Sequence, residues 1–124
     1  MATLDLTKDN FEQTIQDHDS IIIDFWAPWC GPCRSFKPTF EKVSESHPGF
    51  LFCKVNTEVE RELAQYFQIR SIPTLMIFRE KVIVYSEPGA LSAADLEALV
   101  NQAKQIDMVQ VHKDIADQEA NATQ

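Results

Sequence analysis

The chain reads as an α/β domain: a central mixed sheet of four to five strands with helices on both faces and a C-terminal extension. Three observations predict this. The segments Ile21–Trp26 and Phe50–Val55 are apolar on both faces, as strands covered by helices must be. Stretches with helical apolar spacing alternate with the strands. A Cys-x-x-Cys pair, Cys30 and Cys33, stands where the first of those strands meets a helix, the setting of a redox dithiol in a βαβ unit.

In chain order, Leu4-Asp5-Leu6 is a short strand. Thr7 is suited to cap a helix with Phe11 and Ile15 on its buried face. Asp17-His18-Asp19-Ser20 is a polar turn. Ile21 to Trp26 is the strongest strand, broken only by Asp24, and Pro28 ends it. From Gly31 to about Ser46, Phe36, Phe40 and Val43 recur at helical spacing, with Arg34, Lys37, Glu41 and Lys42 on the opposite face. Pro32 falls in the first turn, where a missing N–H costs nothing. Pro38 falls deeper and predicts a kink, and His47-Pro48-Gly49 stops the helix.

Phe50 to Val55 is the second buried strand. Thr57-Glu58-Val59-Glu60 has the form of a capping box, opening a helix with Val59, Leu63, Tyr66 and Phe67 on one face. Thr74–Phe78 and Val82–Tyr85 form a hairpin through Arg79-Glu80-Lys81. Pro88-Gly89 breaks it, and Ser92 caps a helix with Leu96, Leu99, Val100 and Ala103 inward. Residues 1–106 make the domain. In the extension 107–124, Met108, Val111 and Ile115 share one face of a short helix, and Asp117 to Gln124 is expected to fray.

With 124 residues there is room for one core and not for two. A formal charge of −8 argues against a nucleic-acid partner, which needs a basic face. No stretch is apolar for long enough to span a bilayer, so no membrane partner is expected. Met1 to Leu6 lacks the basic and apolar regions of a secretory signal, so the expected location is cytoplasmic. In a reducing cytosol a cysteine pair is more often catalytic or metal-binding than structural.

Cys30 and Cys33 lie one helical turn apart, a spacing near what a disulfide tolerates. Cys30, at the helix start, gains from unpaired N–H groups and the helix dipole, so it is the expected exposed nucleophile. Cys33, further in, is the expected resolving thiol. The alternative is half of a zinc site. Zinc needs four ligands, but Cys53 is single and His18, His47 and His112 are scattered, so no metal is expected. Cys53, in an apolar strand, reads as a buried, inert thiol.

Trp29-Cys30-Gly31-Pro32-Cys33, preceded by Asp24-Phe25-Trp26-Ala27, resembles the active site of the thioredoxin family. Ser71-Ile72-Pro73-Thr74 resembles its proline loop and Gly89-Ala90 its third substrate-facing loop, so the likeness runs from about residue 3 to 105. The resemblance implies the thioredoxin fold and protein disulfide reduction in the service of redox homeostasis. It implies electron supply from NADPH through thioredoxin reductase, with no cofactor bound to the chain itself. The implied partners are that reductase and disulfide-containing client proteins, and the implied state is a monomer.

The resemblance also implies a cis peptide at Pro73 and a docking surface of Trp29, Gly31, Pro32, Ile72, Pro73, Gly89 and Ala90. Ile72 would offer its backbone to an extended substrate segment. Asp24 matches the family's proton acceptor for the resolving cysteine. Strand alternation puts Asp24 on a face with Ile22 and Trp26. Lys54, on the face of Phe52, comes close to Asp24 if the two strands are neighbours. Two departures stand out: Arg34 where lysine is frequent, and a hairpin turn without glycine. An oxidase or isomerase of the same fold is the nearest alternative, although Gly31-Pro32 between the cysteines resembles the reductase type. A binding module that does not use its thiols and a peroxidase are further alternatives. The second lacks a peroxidatic motif in this sequence.

Overall fold

A computed structural model describes residues 3–122. Among the described residues five strands and five helices follow in order: β1 (Thr3–Asp5), α1 (Phe11–Asp17), β2 (Ser20–Trp26), α2 (Gly31–Ser44), β3 (Leu51–Asn56), α3 (Arg61–Tyr66), β4 (Thr74–Arg79), β5 (Val82–Pro88), α4 (Ala93–Lys104) and α5 (Met108–Ala122). The sheet order is β1-β3-β2-β4-β5, with β1, β3 and β2 parallel and β4 antiparallel to both β2 and β5.

The doubly apolar β2 is central for a physical reason: both of its faces need cover. Ile22 packs with Phe36, Phe40 and Val43 of α2 and Leu96, Val100 and Ala103 of α4. Ile21, Ile23 and Phe25 pack on the other face, where Phe11 and Ile15 of α1, Leu63 of α3 and Phe67 just after it close the layer. Burying one such side chain contributes about 1.5–3 kcal/mol, so the two clusters outweigh any local propensity.

Several local expectations are corrected. Thr7 does not begin α1. Its Oγ1 accepts the Asn10 N–H while Asn10 Oδ1 accepts the Thr7 N–H, so a reciprocal turn precedes the helix. The capping box at Thr57 does not form, because Thr57 Oγ1 donates to the Trp26 carbonyl at 3.0 Å and α3 starts only at Arg61. Val59 and Tyr66 do not share the face of Leu63 and Phe67 as expected: the helix begins after Val59, and both are exposed. The Glu80-Lys81 turn takes positive φ at both residues, 50° and 69°, the type I′ geometry reached without glycine. α5 runs through Ala122 where a frayed tail was expected. Its Met108 is buried, and His112 Nε2 lies 2.9 Å from Glu80 Oε1 at the hairpin turn. Thr123 and Gln124, the end of that expected tail, lie outside the described residues.

One polar tie was not anticipated. His47, read as a helix stop, is buried beside α4 and stacked on Phe52 of β3. The Lys104 ammonium donates to its Nδ1 at 2.6 Å, which leaves Nε2–H to donate to Glu97.

Candidate active site

α2 begins immediately after Cys30. Cys30 is its N-cap, and Cys30 Sγ accepts the N–H of Cys33 at 3.2 Å. That bond satisfies one of the N–H groups a helix start leaves unpaired and would stabilise a thiolate in the reduced protein. The two cysteines form a disulfide, with Cα atoms 5.2 Å apart. Pro32 and Gly31 complete the first turn without requiring a hydrogen bond from the proline nitrogen.

Exposure does not separate the two sulfurs as expected. Cys30 is 5% exposed and Cys33 2%, because Ala27, Trp26 and Ile72 pack around both. Surroundings separate them instead. Cys30 Sγ lies 3.8 Å from the carbonyl oxygen of Ile72. Cys33 lines a pocket of about 310 Å³ together with Asp24, Trp26, Pro28, Arg34, Lys37 and Lys54.

The Ile72-Pro73 bond is cis. The Gly89 N–H donates to the Pro73 carbonyl at 2.8 Å, which ties the proline loop to the loop after β5. Gly89 has φ +113°, a conformation side chains rarely adopt. Trp29 is 66% exposed at the edge of the site. Pro32, Gly89 and Ala90 are exposed, Gly31 and Ile72 are half-buried and Pro73 is buried. Ile72 is thus brought to the cysteines, Pro73 follows it through the cis bond, and Gly89 is tied to Pro73. Trp29, next to Cys30 in the chain, and Ala90, next to Gly89, both stay exposed.

Asp24 is buried, and register pairs it directly with Lys54 on β3. Burial pushes its carboxyl from the ordinary 3.8 up to about 7, with the Lys54 charge pulling partly back. Yet Lys54 does not bond to it. The ammonium donates to Glu41 Oε2 at 3.1 Å, while Asp24 Oδ1 and Trp26 Nε1 are buried without partners. Glu41 and Lys37 were read as solvent-facing. The spacing Cys33, Lys37, Glu41 is i, i+4, i+8, one stripe of α2, and that regularity could have placed them beside the pocket. Cys53 is fully buried, and burial followed by the Asp5 charge pushes its thiol up to about 12. Among the described residues no group of three or more His, Cys, Asp and Glu side chains is placed to hold a metal.

Comparison with known proteins agrees with this geometry. The thioredoxin family model matches residues 2–102. The protein described as thioredoxin 2 in Streptomyces coelicolor is 52% identical over 121 residues, covering 98% of this chain and 90% of that one. Thioredoxin of Porphyra purpurea is 36% identical over 104 residues, covering 82% of this chain and 97% of its own. A crystal structure of chloroplastic thioredoxin z superposes with a TM-score of 0.76 at 27% identity, covering 84% of this chain and 96% of that one. With a family match over residues 2–102 and relatives of 52% and 36% identity, the chain belongs to the thioredoxin family as a thiol–disulfide oxidoreductase.

Proposed function

We propose that the chain acts in the reducing direction, with Cys30 as nucleophile and Cys33 as resolving thiol. The observation that carries this is the unlike setting of the two sulfurs: Cys30 caps α2 beside the Ile72 carbonyl, and Cys33 faces the Asp24 pocket. The Cys30 thiolate attacks one sulfur of a client disulfide, forming a mixed disulfide and releasing the other client sulfur as a thiolate. Cys33 loses its proton to Asp24, directly or through water in the pocket they share, and attacks Cys30 Sγ. The Cys30–client bond breaks, the second client thiolate leaves, and the Cys30–Cys33 disulfide forms. Two electrons pass to the client, and the released thiolates take protons from Asp24 and solvent.

An extended client segment would lie across Trp29, Ile72, Pro73, Gly89 and Ala90, borrowing the Ile72 backbone as an added strand does. Thioredoxin reductase would return the pair to the dithiol with electrons from NADPH, so the chain needs no bound cofactor. On this reading it is a monomeric electron carrier of the cytoplasm.

Replacing Cys33 with Ser tests the roles. That variant should accumulate covalent complexes with disulfide-bearing proteins, while Cys30→Ser accumulates none; trapping by Cys30→Ser alone would reverse the assignment. Insulin reduction coupled to NADPH and thioredoxin reductase tests direction and recharging together.

A further inference from the structure

Lys54 stands opposite Asp24 in the parallel β2–β3 register, and both line the pocket under Cys33. An ammonium so near a buried carboxylate would ordinarily pair with it, because a buried charge without a partner is costly. The pairing observed is different. Lys54 Nζ donates to Glu41 Oε2 at 3.1 Å, and Asp24 Oδ1 keeps no partner. The Lys54 side chain is 11% exposed and that of Glu41 41%, so the ammonium is drawn toward the solvent boundary.

We propose that Glu41 is a positioning residue: it holds the Lys54 ammonium at the outer edge of the pocket, so that the Asp24 carboxylate meets Cys33 without a direct cationic partner. The proposal rests on reading Asp24 as the base for Cys33. A lysine seated on Asp24 would keep it ionised to lower pH and weaken it as a proton acceptor for a thiol. A lysine shared with Glu41 still helps the charge enter a buried site, but opposes protonation less.

The other groups around the pocket do not replace this device. From α2, Arg34 Nη1 donates to the Pro28 carbonyl at 3.1 Å, and Lys37 makes no ion pair among the described residues. Facing Asp24 from the other neighbouring strand, β4 supplies the apolar Leu75. Facing Lys54 from β1 is Asp5, yet the ammonium bonds to Glu41.

The test is a double-mutant cycle read by carbon-13 NMR titration of the Asp24 carboxyl. Using the oxidised protein removes the Cys33 titration from the signal. Glu41→Ala should lower the Asp24 midpoint by about one pH unit, a tenfold loss of proton affinity, as Lys54 moves onto the free carboxylate. The same change in a Lys54→Met background should move it far less. Equal shifts in both backgrounds would mean that Glu41 acts only as a nearby charge, and the proposal fails. It also fails if Glu41→Ala alone moves nothing. Should Lys54→Met fold poorly, Glu41→Asp decides the matter: it keeps the charge but withdraws the carboxylate, and an unchanged Asp24 midpoint overturns the proposal. The pH profile of mixed-disulfide resolution should move with the titration. If the titration moves and the kinetics do not, Glu41 still positions Lys54, and the reading of Asp24 as base falls instead.

Discussion

Asp24 buries a carboxylate in the middle of the central strand, and its proton affinity has consequences for stability as well as chemistry. The folded value near 7 stands above the ordinary 3.8, so the folded state binds the proton more tightly than the unfolded one. The stability linked to this group is therefore fully present below about pH 4. It declines as the pH rises and is lost once the pH passes about 7. At one pKa unit per 1.36 kcal/mol, the loss is on the order of 4 kcal/mol. Asp24→Asn carries no such dependence. Its stability relative to the parent should rise between pH 4 and pH 8, as read by urea unfolding at both, and an offset independent of pH would contradict the burial argument. The same substitution should slow mixed-disulfide resolution, with the largest effect above pH 7 where the parent carboxylate is ionised. Cys53 gives a simpler check. With its thiol pushed up to about 12 and no exposed surface, it should resist iodoacetamide in the native, reduced protein while Cys30 reacts, as peptide mass spectrometry would show.

Among the elements, the β4–β5 hairpin carries visible backbone cost. Glu80 and Lys81 both sit at positive φ, where a non-glycine residue loses about 1 kcal/mol. Lys81→Gly should therefore stabilise the fold by about 0.5–1 kcal/mol, less the extra freedom glycine gives the unfolded chain. A higher urea midpoint with an unchanged slope would show it. Sequence patterning found this hairpin, but not its tight two-residue turn, because a glycine-free turn gives no local sign of left-handed backbone. The capping box at Thr57 failed for a related reason. Its hydroxyl had a better partner in the Trp26 carbonyl, 31 residues away, and no local pattern reports such competition. The stripe from Cys33 through Lys37 to Glu41 was legible as spacing, but an acid on a helix surface looks solvated until the facing strand supplies Lys54.

For the molecule as a whole, α5 adds a helix beyond the residues that the family model matches. It reaches the fold through buried Met108 and through His112 at the hairpin turn, and supplies none of the residues lining the Asp24 pocket. Ending the chain after Ile106 should cost stability, about 2 kcal/mol for Met108 alone. Insulin reduction per folded molecule should stay near that of the full chain. A truncated protein that folds but has lost reduction would place α5 in the function.

The layered α/β class, the central place of β2 and the redox-capable cysteine pair were all legible in the linear chain. These follow from short-range patterns: apolar strands with two buried faces, amphipathic helices and two thiols one turn apart. The helix start already set Cys30 apart from Cys33, as its place at the N-cap bears out, but the rest of their difference came only with the tertiary structure. Burial did not distinguish Cys30 from Cys33, since packing covers both, and their distinct neighbours come from separate parts of the chain. The Ile72 carbonyl comes from the loop before β4, and Asp24 and Lys54 come from adjacent strands. Whether a lysine pairs with one acid or another depends on which carboxylate reaches it in three dimensions, and a linear pattern does not encode that distance.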